Sequence, residues 1–314
     1  MSATYVPLWG KSHFSFLEGA SSPEELVEQA HALGIKALAL TDRDGFFGAV
    51  RAAVAARKVG LKLIYGTEVS LDDGSCIVML AQNRLGYGNL CRLISVARAD
   101  KAKGKGRASW GQVMAHAEGC IGLLGGARSR FAALDPPSPV WVDAMQQAFA
   151  GRLYAVLCEN NTEEDGARQV RTAERAACYD LPLVAAQEVL YHHRFRRPLQ
   201  DVLTAVRCGV SLAEGGTSLR CNDEHGLEDS ASFYRRFARY DSAAAATLAV
   251  AARCNFDLFQ LRYRYPSEHL PNGLTSGEWL RRLVVAGAQR RYRGSPPAAV
   301  CAQLDHELAL IEDL

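Results

Sequence analysis

Short apolar runs alternate with amphipathic helical patterns through the first two-thirds of the chain. Seven runs read as strands: Tyr5–Trp9, Lys36–Leu40, Lys62–Tyr65, Cys76–Ala81, Cys120–Leu124, Leu153–Cys158 and Leu183–Ala186. Most of the intervals between them hold a helix. Ser22-Pro23-Glu24-Glu25 is a capping box with proline at the first helical position; Leu26, Ala30 and Leu33 follow at helical spacing, and Gly34 stops the helix. Leu90, Leu93, Ile94 and Ala97 form a second apolar stripe, and Leu199, Val202, Leu203 and Val206 a third. Thr162-Glu163-Glu164-Asp165 reads as a further helix start. Strands joined mostly by helices predict an α/β fold with a largely parallel sheet, doubly wound or closed into a barrel, and periodicity does not choose between them.

After about Phe195 the strand pattern stops and helices dominate. Asp100–Arg107 is a basic, glycine-containing loop, and Asp135-Pro136-Pro137-Ser138-Pro139 is a proline-rich break. Tyr265-Pro266 and Leu270-Pro271-Asn272-Gly273 mark a boundary, beyond which Thr275-Ser276-Gly277-Glu278 caps one helix and Pro297 opens another. That last helix has no stop signal before Leu314, so the chain reads as cut from a longer protein. Its Val300, Leu304, Leu308 and Ile311 make an apolar stripe expected to be left without a partner.

Of the 314 residues, 48% are hydrophobic and 22% charged, enough to build a sizeable core. The net charge of +2 argues against a polybasic role and disfavours a module that binds DNA on its own. The longest apolar stretch, Ser242–Ala252, is too short to span a bilayer, and the first residues lack the layout of a signal peptide. Nine scattered cysteines without a C-x-x-C pair read as reduced buried thiols, hence a cytoplasmic protein with no membrane partner.

The candidate chemistry sits at strand ends, where α/β folds place it. These ends are Leu8–Gly19, Ala39–Gly45, Tyr65–Val69 and Ala185–Tyr191. In this order they resemble the polymerase-and-histidinol-phosphatase (PHP) domain of bacterial C-family DNA polymerases, with phrasing similar to the error-prone, ImuC-type branch. Phe16–Val27, Asn83–Leu93 and Leu199–Arg207 support the likeness, and Tyr263-Arg264-Tyr265-Pro266-Ser267-Glu268 resembles the passage into the polymerase core. The resemblance covers essentially the whole chain. It implies a distorted seven-stranded β/α barrel over 1–195, a helical extension over 196–265, and the first helices of the polymerase core over 266–314. It implies a parent enzyme that copies DNA with magnesium held by palm aspartates beyond this chain, acting in damage-induced mutagenesis. The implied partners are an ImuB-type Y-family homologue, the sliding clamp and primed DNA.

Intact members of the family hold two or three metal ions at the barrel mouth, and there this sequence departs from the pattern. The opening H-x-H is Trp9-Gly10-Lys11, the histidine after Asp42 is Arg43, and another histidine aligns with Cys76. A cysteine that some members carry falls near Gly125-Gly126, and the closing D-x-H reads Glu188-Val189-Leu190. Glu18, Glu68 and Glu188 survive without an imidazole, whereas nitrogen ligands dominate such sites. His13, His192 and His193 lie near but outside the pattern; unclustered loop histidines are more often solvated than ligating, and His31 faces solvent on its helix. Trp9 is most simply a space-filling aromatic. The resemblance therefore implies a module with no catalytic residue, metal or cofactor of its own. Two cations at ligand positions oppose metal binding, and the expectation is that Lys11 and Arg43 replace the metals by pairing with the three glutamates, Arg43 being the better anchor because its guanidinium is bidentate. The alternative is a phosphoesterase or 3′–5′ exonuclease holding a hard ion on carboxylates alone. Arg235, Arg236, Arg239, Arg262 and Arg264, interleaved with aromatics, are candidate nucleic-acid contacts, although solvated amphipathic segments have the same pattern.

Overall fold

The computed structural model describes residues 4–99, 101–261, 270 and 273–313. The chain divides into two compact units, Met1–Leu261 and Arg262–Leu314. The helices that follow the last strand, up to residue 261, thus belong to the same unit as the sheet.

In the first unit the elements run α1 (Pro23–Ala32), β1 (Ala37–Leu40), α2 (Ala49–Val59), β2 (Lys62–Ser70), β3 (Cys76–Ala81) and α3 (Arg84–Arg98). Then come α4 (Trp110–Ala115), β4 (Cys120–Gly125), α5 (Pro139–Phe149), β5 (Leu153–Cys158), α6 (Asp165–Cys178) and β6 (Leu183–Ala186). Three helices follow: α7 (Arg197–Cys208), α8 (Ser230–Arg236) and α9 (Asp241–Arg253). The capping box closes as the sequence predicts: Ser22 Oγ accepts from Glu25 N–H, and the Glu25 carboxylate accepts from Ser22 N–H at 2.8 Å.

Six strands form one sheet in the order β1-β2-β3-β4-β5-β6. β1–β2, β4–β5 and β5–β6 are parallel; β2–β3 and β3–β4 are antiparallel, because a tight connection at Asp72–Gly74 sends β3 straight back along β2. The predicted seventh strand at Tyr5–Trp9 is not one. The segment is extended, and its pairing reduces to isolated bridges of Gly10 to Leu40 and to Val189. Its hydrogen bonds nevertheless reach both sheet edges: Ala39 N–H donates to Pro7 C=O at 2.9 Å, and Lys11 N–H donates to Val189 C=O at 2.9 Å.

The strands carry continuous apolar runs because both faces are covered. Val78 and Leu80 of β3 point into one core with Ala39, Ile64, Leu123, Val156 and Val184, while Ile77, Met79 and Ala81 face the helices α3–α5. Tyr5 anchors the N-terminal segment by stacking on Phe233 of α8, ring centroids 3.8 Å apart, and its hydroxyl donates to Glu228 C=O. The α7 stripe faces the other way from a core stripe. Leu199, Val202 and Val206 are exposed, and the helix buries Gln200, Thr204 and Ala205 instead.

In the second unit, α10 (Ser276–Arg291) is capped by Thr275, whose hydroxyl accepts from Glu278 N–H, and packs on α11 (Ala298–Asp313). An Arg281–Asp305 ion pair at 2.7 Å joins them. The α11 stripe is only partly open: Leu308 is buried, Val300 and Leu304 are half-buried, and Ile311 is exposed.

Candidate functional site: a buried lysine among three glutamates

The C-terminal ends of the parallel strands and the segment after Trp9 bring Lys11, Arg43, Glu18, Glu68 and Glu188 together. Lys11 lies at the centre with no exposed surface. Its Nζ donates to Glu18 Oε1 at 3.0 Å and Glu188 Oε1 at 2.8 Å, and lies 2.6 Å from Glu68 Oε2. Glu18 reaches inward because residues 12–19 fold into consecutive turns over the strand end; Gly19 permits this, since a Cβ there would stand 2.1 Å from Ser12 C=O. Glu68 comes from within β2, and Glu188 follows β6 by two residues.

Each glutamate also meets a peripheral cation. Arg43 Nη1 lies 3.1 Å from Glu18 Oε2, Arg128 pairs with Glu68 Oε1, and Arg220 Nη2 donates to Glu188 Oε2 at 3.1 Å. The expected convergence of Lys11, Arg43 and the three glutamates is present, but the roles of the cations are reversed. Arg43 touches one carboxylate and keeps 27% of its side chain exposed, whereas Lys11 touches all three and keeps none. The cause is position: Arg43 belongs to the loop after β1, and its other Nη is spent on Phe16 C=O. Trp9 does more than fill space, since its Nε1 donates to Glu68 Oε2 at 3.0 Å and its ring lies beside Lys11 Nζ, 5.5 Å from centroid.

Sequence reasoning missed four participants. Arg128, two residues past Gly126, carries the same strand-end signal that marks Arg43. Arg220 and His225 come from the irregular segment after α7, where nothing in the sequence points back to the barrel. His225 Nδ1 donates to Glu188 C=O at 2.9 Å and stands 3.6 Å from Glu188 Oε2, so one imidazole does border the cluster. Asp42, the fourth, is buried beside it and is held by Ser12 N–H at 2.7 Å and by the hydroxyls of Ser12 and Ser15.

The electrostatics follow from burial opposed by charge. Burial alone would lower the Lys11 ammonium, but the three carboxylates outweigh it and hold the group above its ordinary value. Burial pushes Glu188 up, yet Lys11, Arg220 and His225 together hold it well below the usual range, and Lys11 does the same for Glu18 less strongly. Glu68, wholly enclosed, is raised, because burial there exceeds the pull of Lys11 and Arg128. Burial and the Glu68 carboxylate push the Cys76 thiol up to about 12, and burial lowers His225 to about 4. Beside the Glu68 carboxylate Cys76 is therefore a protonated thiol, and His225 is neutral at pH 7.

The remaining sequence candidates separate. Leu190 is buried against Ala20 and Tyr191 and takes no part. His13, His31 and His193 are exposed, and His192 Nδ1 pairs with Ser21 Oγ at 2.8 Å. Arg236 is not available to nucleic acid: its side chain is buried between Glu224 and Glu228, which neutralise it. Arg235 and Arg239 are exposed, and Arg262 and Arg264 lie outside the described residues. Among the described residues no group of three His, Cys, Asp or Glu side chains is arranged to hold a metal ion, and no helix is long and apolar enough to cross a membrane.

Residues 10–156 match the PHP domain. The chain is 39% identical over 315 aligned residues to an error-prone DNA polymerase of Methylococcus capsulatus, covering 98% of this chain and 29% of that protein. It is 40% identical to an error-prone DNA polymerase of Pseudomonas fluorescens, covering 100% of this chain and 29% of the relative. Among solved structures it is similar to an amidohydrolase from Chromobacterium violaceum, at 17% identity and a TM-score of 0.45, covering 60% of this chain and 88% of that one. The chain thus spans about three-tenths of the length of the curated relatives it matches. Residues 10–156 thus carry the PHP-domain match, and along nearly its whole length the chain is similar to part of the error-prone DNA polymerases.

Proposed function

We propose that this chain is the N-terminal module of a bacterial C-family error-prone DNA polymerase, and that its PHP domain is a structural and interaction domain without hydrolytic activity. The observation that carries the second half is the position of Lys11 Nζ, within 2.6–3.0 Å of Glu18, Glu68 and Glu188. On the family resemblance this ammonium takes the place of the divalent cations of intact members, and each carboxylate already has a second cationic neighbour. The donor set does not fit the family's metals: the glutamates are paired with cations, and His225 turns one nitrogen to a carbonyl.

On the same reading the N-terminal segment is the seventh stave that closes the sheet into a distorted barrel, 196–265 extends the PHP region, and 266–314 begins the polymerase core. The parent would be a cytoplasmic nucleotidyltransferase using magnesium on palm carboxylates. It would act in translesion synthesis during the SOS response, with an ImuB-type homologue, the sliding clamp and primed DNA as partners. Homology to error-prone polymerases along nearly the whole chain supports the polymerase parent, and the partners follow from the family resemblance.

The test is a nuclease assay on a 5′-labelled single strand with manganese present. The expected result is intact substrate. A 3′–5′ ladder that disappears in Glu68→Gln would reinstate the phosphoesterase reading.

A further inference from the structure

The basic loop Lys101–Arg107 takes no part in the Lys11 cluster, yet it builds a cavity. Together with the loop between β1 and α2 and the end of α3 it forms a cavity of about 340 Å3, lined by Asp44, Phe47, Arg98, Lys101, Lys103 and Arg107. Among these, four cations face one carboxylate, and that carboxylate is engaged: Asp44 Oδ1 accepts from Ser70 N–H at 2.7 Å. Arg107 curls over its own loop, donating to Gly106 C=O at 2.6 Å, and so holds the loop's shape. Phe47 is 53% exposed, an unusual outlay of apolar surface beside so many charges. The Arg98 guanidinium lies over its ring at 5.1 Å and is tied to Asp44 C=O, so the ring and the cation are already stacked and oriented.

Cations alone would suit any polyanion. An exposed ring with a guanidinium laid on it adds a flat surface, which a nucleobase matches and an acidic peptide does not. The cavity lies within the size range of small-molecule sites. We propose that it binds a nucleotide, with the base against the Phe47–Arg98 stack and the phosphate on Lys101 and Lys103. The nucleotide is either one unit of a single strand or free in solution. This goes beyond the polymerase reading and holds whether or not the Lys11 cluster takes metal.

The experiment is fluorescence anisotropy of the full chain with a labelled oligothymidylate of about 12 nucleotides, repeated across a salt series. Free dTTP and inorganic polyphosphate serve as competitors. The expected result is saturable binding that Phe47→Ala weakens by at least about fivefold at fixed salt and Phe47→Trp preserves. Replacing both Lys101 and Lys103 by alanine should flatten the log–log salt slope by about 1.4. Both lysines are exposed, so that variant keeps its fold, and a thermal melt of each Phe47 variant checks the same for the ring. Displacement by dTTP at concentrations matching the strand assigns the site to free nucleotide, and displacement by strand alone assigns it to single-stranded nucleic acid. No binding, an unchanged affinity in Phe47→Ala, or displacement by polyphosphate as effective as by either nucleotide probe would overturn the proposal.

Discussion

Lys11 Nζ and Glu68 Oε2 lie 2.6 Å apart with neither side chain exposed to water. A pair so enclosed is held by its neighbours as much as by its own attraction, because taking two charges out of water costs nearly what their pairing returns. Here the neighbours are Glu18, Glu188, Arg128 and the Trp9 indole, and removing the lysine leaves three carboxylates facing one another. Lys11→Met keeps most of the volume and should cost about 3–5 kcal/mol in denaturant unfolding at pH 7. The deficit should shrink toward pH 4 as the stranded carboxylates protonate.

Arg43→Ala should cost far less, about 1 kcal/mol or below, since the guanidinium is partly solvated and touches one carboxylate. The same unfolding experiment reads both variants. A larger loss for Arg43 than for Lys11 would reverse the hierarchy of the cluster.

His225 gives the cluster a pH signature. Its folded value of about 4 lies below the ordinary value near 6.5, so the unfolded chain binds more protons between those limits. Stability should therefore rise with pH from about 4 to 6.5 and be lost as pH falls through that window, by about 3 kcal/mol in all. Glu188 and Glu18, held below their ordinary values, add loss of the same sign below about pH 4.3, while the raised Glu68 works against the His225 trend above that pH. Unfolding of His225→Asn across pH 4–7 should show the flatter profile.

Gly126 has a left-handed φ of +82°, and a Cβ there would fall 2.5 Å from the Trp9 ring. Gly126→Ala should destabilise by about 1–3 kcal/mol through strain and overpacking. It should also shift the Trp fluorescence, because the indole that donates to Glu68 must move.

Much of this was legible beforehand, and the misses have physical causes. Cys76–Ala81, Leu153–Cys158 and Leu183–Ala186 were read at their observed bounds, because strands buried on both faces are continuous apolar runs. Tyr5–Trp9 has the same pattern for the same reason, buried between sheet edges and α8, without the paired register that makes a strand. The Leu199–Val206 stripe misled, since periodicity reports a face and not which side it is turned to. In the site, Lys11, Arg43, Glu18, Glu68 and Glu188 follow from the family resemblance carried by the strand ends. Their ranking depended on depth, which spacing does not encode, and Arg220 and His225 arrive from a segment with no such marker.

The most direct measurement is metal stoichiometry: equilibrium dialysis of the full chain against manganese and zinc, followed by elemental analysis, for the wild type and for Glu68→Gln. An ammonium locked among Glu18, Glu68 and Glu188 leaves no vacant oxygen pair, so both proteins should carry only background metal. One or more ions bound stoichiometrically to the wild type and released in Glu68→Gln would contradict the replacement of the metals by Lys11.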